Sequence, residues 1–181
     1  MSEQPAAGPL RILLLNGPNL GTLGRRQPEI YGTDTLAQIV DRARAHAESR
    51  GATLDHLQSN HEGALIDRLE RLDYDAVVIN PGALAHTSYA LHDALVGCGR
   101  PAVEVHLSDI SAREPWRRVS VTAPASRHQV SGRGWRGYLE AMDLLLDESS
   151  GGTELSPPGP PRRGRVPRDP PRCRSPYPPD G

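Results

Sequence analysis

Residues 12–15 read I-L-L-L, and residues 16–32 read N-G-P-N-L-G-T-L-G-R-R-Q-P-E-I-Y-G. Four aliphatic residues in a row describe a strand buried on both faces, as in a parallel sheet. The polar, Gly/Pro-rich run that follows is much longer than an ordinary connection of about 4–6 residues. It holds two Asn, two adjacent Arg and one Tyr. Ligands of open α/β sheets bind just outside the carboxyl ends of the strands. The stretch therefore predicts a ligand-site loop carried by the first strand of such a sheet.

Outward from this stretch, short apolar runs alternate with helical periodicity. Strands are predicted at Arg11–Leu15, Thr53–Gln58, Ala76–Asn80, Ala102–His106 and Val119–Thr122. Residues 35–50 set Leu36, Ile39, Val40, Ala43 and Ala47 on one helical face, with Asp34 or Thr35 as cap and Gly51 beyond the end. Residues 62–72 group Leu65, Ile66, Leu69 and Leu72, with Asp67, Arg68, Glu70 and Arg71 turned outward. Residues 88–97 follow a Ser88 cap, and residues 135–148 carry Tyr138, Leu139, Met142 and Leu145. Regular β-α alternation means a parallel sheet with helices on both faces. The reading is a flavodoxin-like α/β three-layer sandwich with a five-stranded parallel sheet in the order 2-1-3-4-5. Its crevice falls at the carboxyl ends of strands 1 and 3.

The chain has 181 residues, enough for one domain with a real core. Residues 1–8 read as a flexible N-terminus and residues 9–148 as the folded domain. From Ser149 onward there are ten Pro, six Arg and three acids, with Leu155 and Val166 the only aliphatic core-type residues. Such a segment buries too little apolar surface to offset its ordering entropy, so 149–181 reads as a disordered Pro/Arg-rich tail. The tail holds a charge of +3 and residues 1–148 hold −4, giving the overall −1. An acidic body excludes a nucleic-acid surface by charge. No run reaches the roughly 20 apolar residues of a membrane span, and the N-terminus lacks a secretory pattern. Cys98 and Cys173 have no metal-type spacing, which fits a reduced, cytoplasmic setting. The chain contains no lysine: all 21 of its Lys+Arg residues are Arg. That excludes both an imine mechanism through a Lys amine and a P-loop.

Three segments converge on the carboxyl edge of this sheet. They are 16–32, N-P-G-A-L-A-H-T-S at 80–88, and E-V-H-L-S at 104–108, the last followed by Arg113 and Arg117. Glu104 and His106 are two apart on a strand and share a face. A central parallel strand is ordinarily apolar throughout, so the pair needs a reason. Either it is a structural ion pair at a strand end, or the carboxylate orients the imidazole as a general acid near neutral pH. His86 is either a solvated loop residue or a ligand group beside a helix N-terminus, where backbone N–H groups favour anions. Arg26 and Tyr31 fit a surface loop with an aromatic lid. The alternative is a tyrosinate base, since an ordinary phenol with a pKa of about 10 is almost wholly neutral at pH 7 and a nearby guanidinium favours the ionised form.

Asp93 reads as a surface acid on its helix. G-R-G-W-R-G at 132–137 matches a dinucleotide fingerprint. It precedes the last helix rather than the first, and no strand follows, so its glycines serve a turn and close packing. There is no H-x-x-x-H and no Cys pair, so no metal is expected.

Several of these segments, in this order, resemble the type II 3-dehydroquinate dehydratases. The likeness covers nearly all of residues 10–140. It rests on L-N-G-P-N-L-G-T-L-G-R-R-Q-P-E-I-Y-G, Q-S-N-H-E-G at 58–63, I-N-P-G-A-L-A-H-T-S at 79–88, V-E-V-H-L-S at 103–108 and A-R-E-P-W-R-R at 112–118. The resemblance implies reversible dehydration of 3-dehydroquinate to 3-dehydroshikimate, in the shikimate or quinate pathway, with no metal and no organic cofactor. It implies a homo-oligomer, a dodecamer built from trimers.

Carried onto this chain, it makes Tyr31 the base that removes the C2 proton, with Arg26 favouring its ionised form. Asn19 holds a water that stabilises the enolate. His106, oriented by Glu104, protonates the departing hydroxyl. Asn80, His86 and Arg117 bind substrate hydroxyls. The backbone N–H groups of Leu107 and Ser108, with the Ser108 side chain, hold the carboxylate. Arg113 closes over the site, and Asp93 reaches in from a neighbouring subunit. One departure is R-H-Q-V-S at 127–131, more polar than the fifth-strand run usual in the family. Two other readings stand beside the enzyme: a non-catalytic flavodoxin-like binding protein for a small polyhydroxy acid, and an interaction protein whose Pro/Arg-rich tail docks on partners.

Overall fold

The computed structural model describes residues 8–25 and 33–150. Most of the expected flexible N-terminus, Arg26 and Tyr31 of the opening loop, and the tail beyond 150 lie outside the described residues. Among the described residues five strands and four α-helices follow one another, alternating except that no α-helix separates β4 from β5: β1 Arg11–Asn16, α1 Leu36–Ser49, β2 Thr53–Gln58, α2 Glu62–Glu70, β3 Ala76–Asn80, α3 Tyr89–Gly97, β4 Ala102–His106, β5 His128–Ser131 and α4 Arg136–Ser150. All neighbouring strands pair in parallel, in the order β2-β1-β3-β4-β5. This is the flavodoxin-like order expected from the sequence.

The apolar runs form strands because both faces of the central strands are covered. Apart from Arg11, every residue of β1, β3 and β4 is buried. Alternate residues feed two separate cores, as the two-residue period of a strand requires. Ile12, Leu14, Val78 and Val103 pack with Ala43 of α1 and Met142 of α4. Leu13, Leu15, Val77 and Ile79 pack with Leu65 and Leu69 of α2 and with Leu91 and Leu95 of α3. Burying one such side chain contributes roughly 1.5–3 kcal/mol. The caps agree with the sequence. Thr35 and Gln38 form a reciprocal capping box at α1, and the Ser88 hydroxyl accepts the Leu91 N–H at α3.

Three expectations are corrected. Val119–Thr122 is not a strand; the fifth strand is His128–Ser131, where the family resemblance puts it. The backbone of 119–122 finds other partners: Val121 N–H donates to Ala85 O at 2.7 Å, and the His86 and His92 rings bind Val119 O and Val121 O. The freed edge of β4 then takes β5, with Val103 opposite His128 and His106 opposite Ser131. Second, α2 stops at Glu70, and Leu72 adopts a left-handed φ of 52° with 46% of its surface exposed. Tyr74 takes the buried place instead and donates its hydroxyl proton to Leu69 O. Third, Arg68 is buried rather than outward, because Asp55 and Asp73 both pair with its guanidinium, at 2.6 and 2.7 Å.

Candidate active site

The cleft is built where β1, β3 and β4 end. Asn16 and Asn80, the last residues of β1 and β3, lie side by side in the register. The turns after them interlock: Gly17 N–H donates to Asn80 O at 2.8 Å. A Cβ at Gly17 would stand 2.3 Å from Pro81 O, and one at Gly82 3.0 Å from Pro18 O. Only glycine allows the two backbones to approach this closely, and Gly82 also needs its φ of +58°. The clasp sets Asn19, which has a left-handed φ of 67° and gives its backbone N–H to Asn60 Oδ1 at 2.9 Å. Gln58 ties the same unit together by donating to Asn60 Oδ1 and to Gly17 O. Gln58 and Asn60 stood in a quoted motif with no role attached.

On the other side of the cleft, Glu104 is fully buried and its Oε1 lies 2.7 Å from His106 Nε2. Its carboxylate also accepts from the Thr122 hydroxyl at 2.6 Å and from the Gln129 amide at 2.9 Å. Burial alone would raise the Glu104 pKa. The hydrogen bonds from His106 and Thr122, helped by the charge of His106, outweigh that burial and hold the carboxyl below its ordinary range. With Nε2 engaged, His106 has Nδ1 left for the cleft that it lines. The arrangement is an imidazole fixed by an ionised carboxylate, able to give or take one proton at a set point.

His86 closes the side wall. Its Nδ1 lies 2.8 Å from Val119 O, and a carbonyl only accepts, so Nδ1 carries the proton. Its ring meets Trp116 edge to face at 6.0 Å between centroids. Arg113 donates to the Ser108 hydroxyl at 3.3 Å and pairs with Glu114 at 3.4 Å. Arg117 lies over Trp116; its Nε is buried, without a hydrogen bond among the described residues, and 3.6 Å from the same Glu114. Both guanidiniums thus lie against the same carboxylate at the edge of the cleft that they line, and their donor forks suit a carboxylate or hydroxyl ligand.

The cleft holds about 180 Å³, below the roughly 300–1,000 Å³ of pockets for drug-sized ligands. A single substituted ring suits it; a dinucleotide does not. Asn19, Asn80, His86, His106, Ser108 and Arg117 all line it, with Leu107 and Arg113. Asp93 does not: it is exposed on α3, beside a separate depression with Leu72 and Cys98. Among the described residues no group of three or more His, Cys, Asp or Glu is placed to hold a metal ion.

Residues 10–146 match the family described as dehydroquinase class II. The chain belongs to that family. A 3-dehydroquinate dehydratase of Ralstonia pickettii is 48% identical over 155 residues, 83% of this chain and 100% of that protein. A catabolic 3-dehydroquinase of Aspergillus terreus is 51% identical over 137 residues, 75% of this chain and 90% of that protein. Among solved structures, the type II dehydroquinase of Butyrivibrio crossotus aligns with a TM-score of 0.74 at 40% identity, covering 76% of this chain and 97% of that one. The dehydroquinase likeness therefore extends over the whole sheet and both walls of the cleft. Sequence reasoning missed Thr122, Gln129, Asn16 and Tyr138, which hold the named residues from behind. Only Asn16 carried a signal, as a polar residue closing a buried aliphatic strand; Thr122, Gln129 and Tyr138 lie in a loop, on the edge strand and in a helix, where a polar residue is ordinary.

Proposed function

We propose that this chain catalyses the reversible dehydration of 3-dehydroquinate to 3-dehydroshikimate, by acid–base chemistry through an enolate. The observation that carries the reading is the buried Glu104–His106 pair opening on a small cleft walled by His86, Asn80, Arg113 and Arg117. A proton next to a ketone and a hydroxyl on the adjoining carbon are what such a pair, with one base opposite, can remove. Tyr31 takes the C2 proton, with Arg26 favouring its phenolate. The electron pair passes into the ketone as an enolate, stabilised by a water on Asn19. It then returns to form the C=C bond as the hydroxyl leaves, protonated by His106 to depart as water. Glu104 keeps the imidazole aimed throughout.

Asn80, His86 and Arg117 bind hydroxyls. The N–H groups of Leu107 and Ser108 and the Ser108 hydroxyl take the carboxylate, and Arg113 closes over it. Asp93, exposed on its own subunit, serves a neighbour's site in a homo-oligomer of trimers, assembled to a dodecamer in the cytoplasm. Neither metal nor organic cofactor enters the scheme.

The test is the conjugated enone of the product, followed by absorbance when purified protein meets 3-dehydroquinate. Wild type gives a rising signal. Tyr31→Phe keeps the fold by circular dichroism and loses ~10²–10⁴-fold in kcat, the usual contribution of a general base. Full activity in that variant refutes the assigned base. Thermal stabilisation by 3-dehydroquinate with no enone favours the binding-protein reading instead.

A further inference from the structure

Beneath the floor of the cleft runs a chain of buried and partly buried polar side chains, of which the reaction scheme uses only Asn80. It starts at the backbone N–H of Gly82, which can only donate, and which gives its proton to Asn80 Oδ1 at 3.1 Å. The other end of that amide, Asn80 Nδ2, then donates to the hydroxyl oxygen of Tyr138 at 2.9 Å. Tyr138 has one proton and gives it to Asn16 Oδ1 at 2.5 Å. Asn16 Nδ2 is left for His56 Nε2, 3.1 Å away on β2. Every donor points the same way, so His56 must accept through Nε2 and carry its proton on Nδ1. Burial, with Arg44 adding to it against Asp55, pushes His56 towards the neutral form that this needs. Burial pushes the Tyr138 phenol well above its usual range, so it remains a donor.

The chain crosses three strands and one helix, yet it ends on two groups of the cleft itself. Asn80 and Gly82 both line it, and Gly82 opens the turn Gly82–His86 that carries the His86 ring. Tyr138 is fully buried, its hydroxyl bonds to Asn80 and Asn16, and it is not among the residues that line the cleft. An amide is nearly symmetrical in shape, so packing alone does not decide which end faces which partner. Here the direction of the hydrogen bonds decides it.

We propose that Tyr138 is a positioning residue for the reaction: its hydroxyl, oriented from His56 through Asn16, fixes the Asn80 amide and, through Gly82, the turn bearing His86. The inference rests on the dehydratase reading for its assay, while its logic concerns the cleft floor alone. Tyr138 acts through Asn80, so its effect disappears when Asn80 is gone.

The experiment is a double-mutant cycle of Tyr138→Phe and Asn80→Ala, read both as kcat/KM for 3-dehydroquinate and as the dissociation constant for quinate. Tyr138→Phe alone is expected to lose about tenfold or more in kcat/KM, and to weaken quinate measurably. Added to Asn80→Ala, it is expected to change either quantity by less than twofold. The same loss in both backgrounds, or no loss in either, overturns the proposal. If Tyr138→Phe does not fold, the half-exposed end of the chain gives a second route. His56→Lys puts a permanent donor where an acceptor is required and should lose activity, and His56→Gln, which offers an acceptor, should recover most of it. Equal activity of the two His56 variants overturns the proposal.

The arms separate the two claims. Wild type that binds quinate, shows the cycle in binding and makes no enone loses the dehydratase reading and keeps the relay. Wild type that makes enone with an additive cycle loses the relay alone. Wild type that neither makes enone nor binds quinate loses both.

Discussion

The two walls of the cleft solve the problem of a buried polar group differently. On the β1/β3 side, apart from the exposed Arg11 that opens β1, polar residues appear only at the last strand position, Asn16 and Asn80, after aliphatic runs. Their partners come from turns that only glycine permits, and from Tyr138 below. On the β4 side, the carboxylate of Glu104 sits inside the strand, two residues before its end, with no exposed surface at all. Burying an ion so deeply is costly unless each oxygen is hydrogen-bonded. Thr122 and Gln129 supply those bonds together with His106. The polar fifth strand and the non-strand at 119–122 follow from this. Both segments deliver a side chain to Glu104, and β5 tolerates polar residues because it is the sheet edge. One wall gains precision from backbone contact, the other from side-chain solvation of a charge.

The largest expected effect breaks the β4 wall at its tip. His106→Ala should lose ~10²–10⁴-fold in kcat, the size of one general acid, with native circular dichroism. A loss under threefold would reduce Glu104–His106 to a structural ion pair. Next comes the opposite wall. Gly17→Ala drives a methyl into Pro81 O, so the two turns must separate; the expected cost is about 1–3 kcal/mol in urea unfolding, comparable to overpacking a core. Both Asn19 and Asn80 should then bind ligand less well. Unchanged stability and unchanged KM would show that the clasp is not tight.

A subtler change tests how the charge is solvated. The Glu104 carboxyl is held below its ordinary range in the folded protein. Its ionised form therefore contributes stability above the unfolded value near pH 4.5, and that contribution fades as pH falls through the lower folded value. Thr122→Val removes one bond to the carboxylate. It should cost about 1–3 kcal/mol at pH 7 and move the acid-unfolding midpoint to higher pH. An unmoved midpoint would mean that Thr122 does not stabilise the charge. At the small end, Val119 is 65% exposed and only its carbonyl engages His86, so Val119→Ser should alter stability by no more than about 0.5 kcal/mol.

The parts of this comparison that were legible in the sequence are those written in short-range pattern. I-L-L-L, A-V-V-I-N and A-V-E-V-H announced the central strands, and the Glu104–His106 pair announced itself by breaking an apolar strand. Thr35 and Ser88 marked their helix starts. What was not legible depends on register. Asn16 meets Asn80 because β1 and β3 align there, and Tyr138 meets Asn16 across 122 positions of chain. Val119–Thr122 has the alternation of a strand, but its backbone is taken by Ala85 O and by the His86 and His92 rings, and its Thr122 hydroxyl by Glu104. Arg68 has the helical phase of a solvated residue, and it is buried because the fold sets Asp55 and Asp73 beside it.

The most direct measurement adds 3-dehydroquinate to the purified wild-type chain and to His106→Ala, each at known active protein concentration, and records enone absorbance against time. The account predicts steady product formation by wild type and a rate at least a hundredfold lower for the variant. A flat trace from folded wild type, or equal rates from the two proteins, would contradict it.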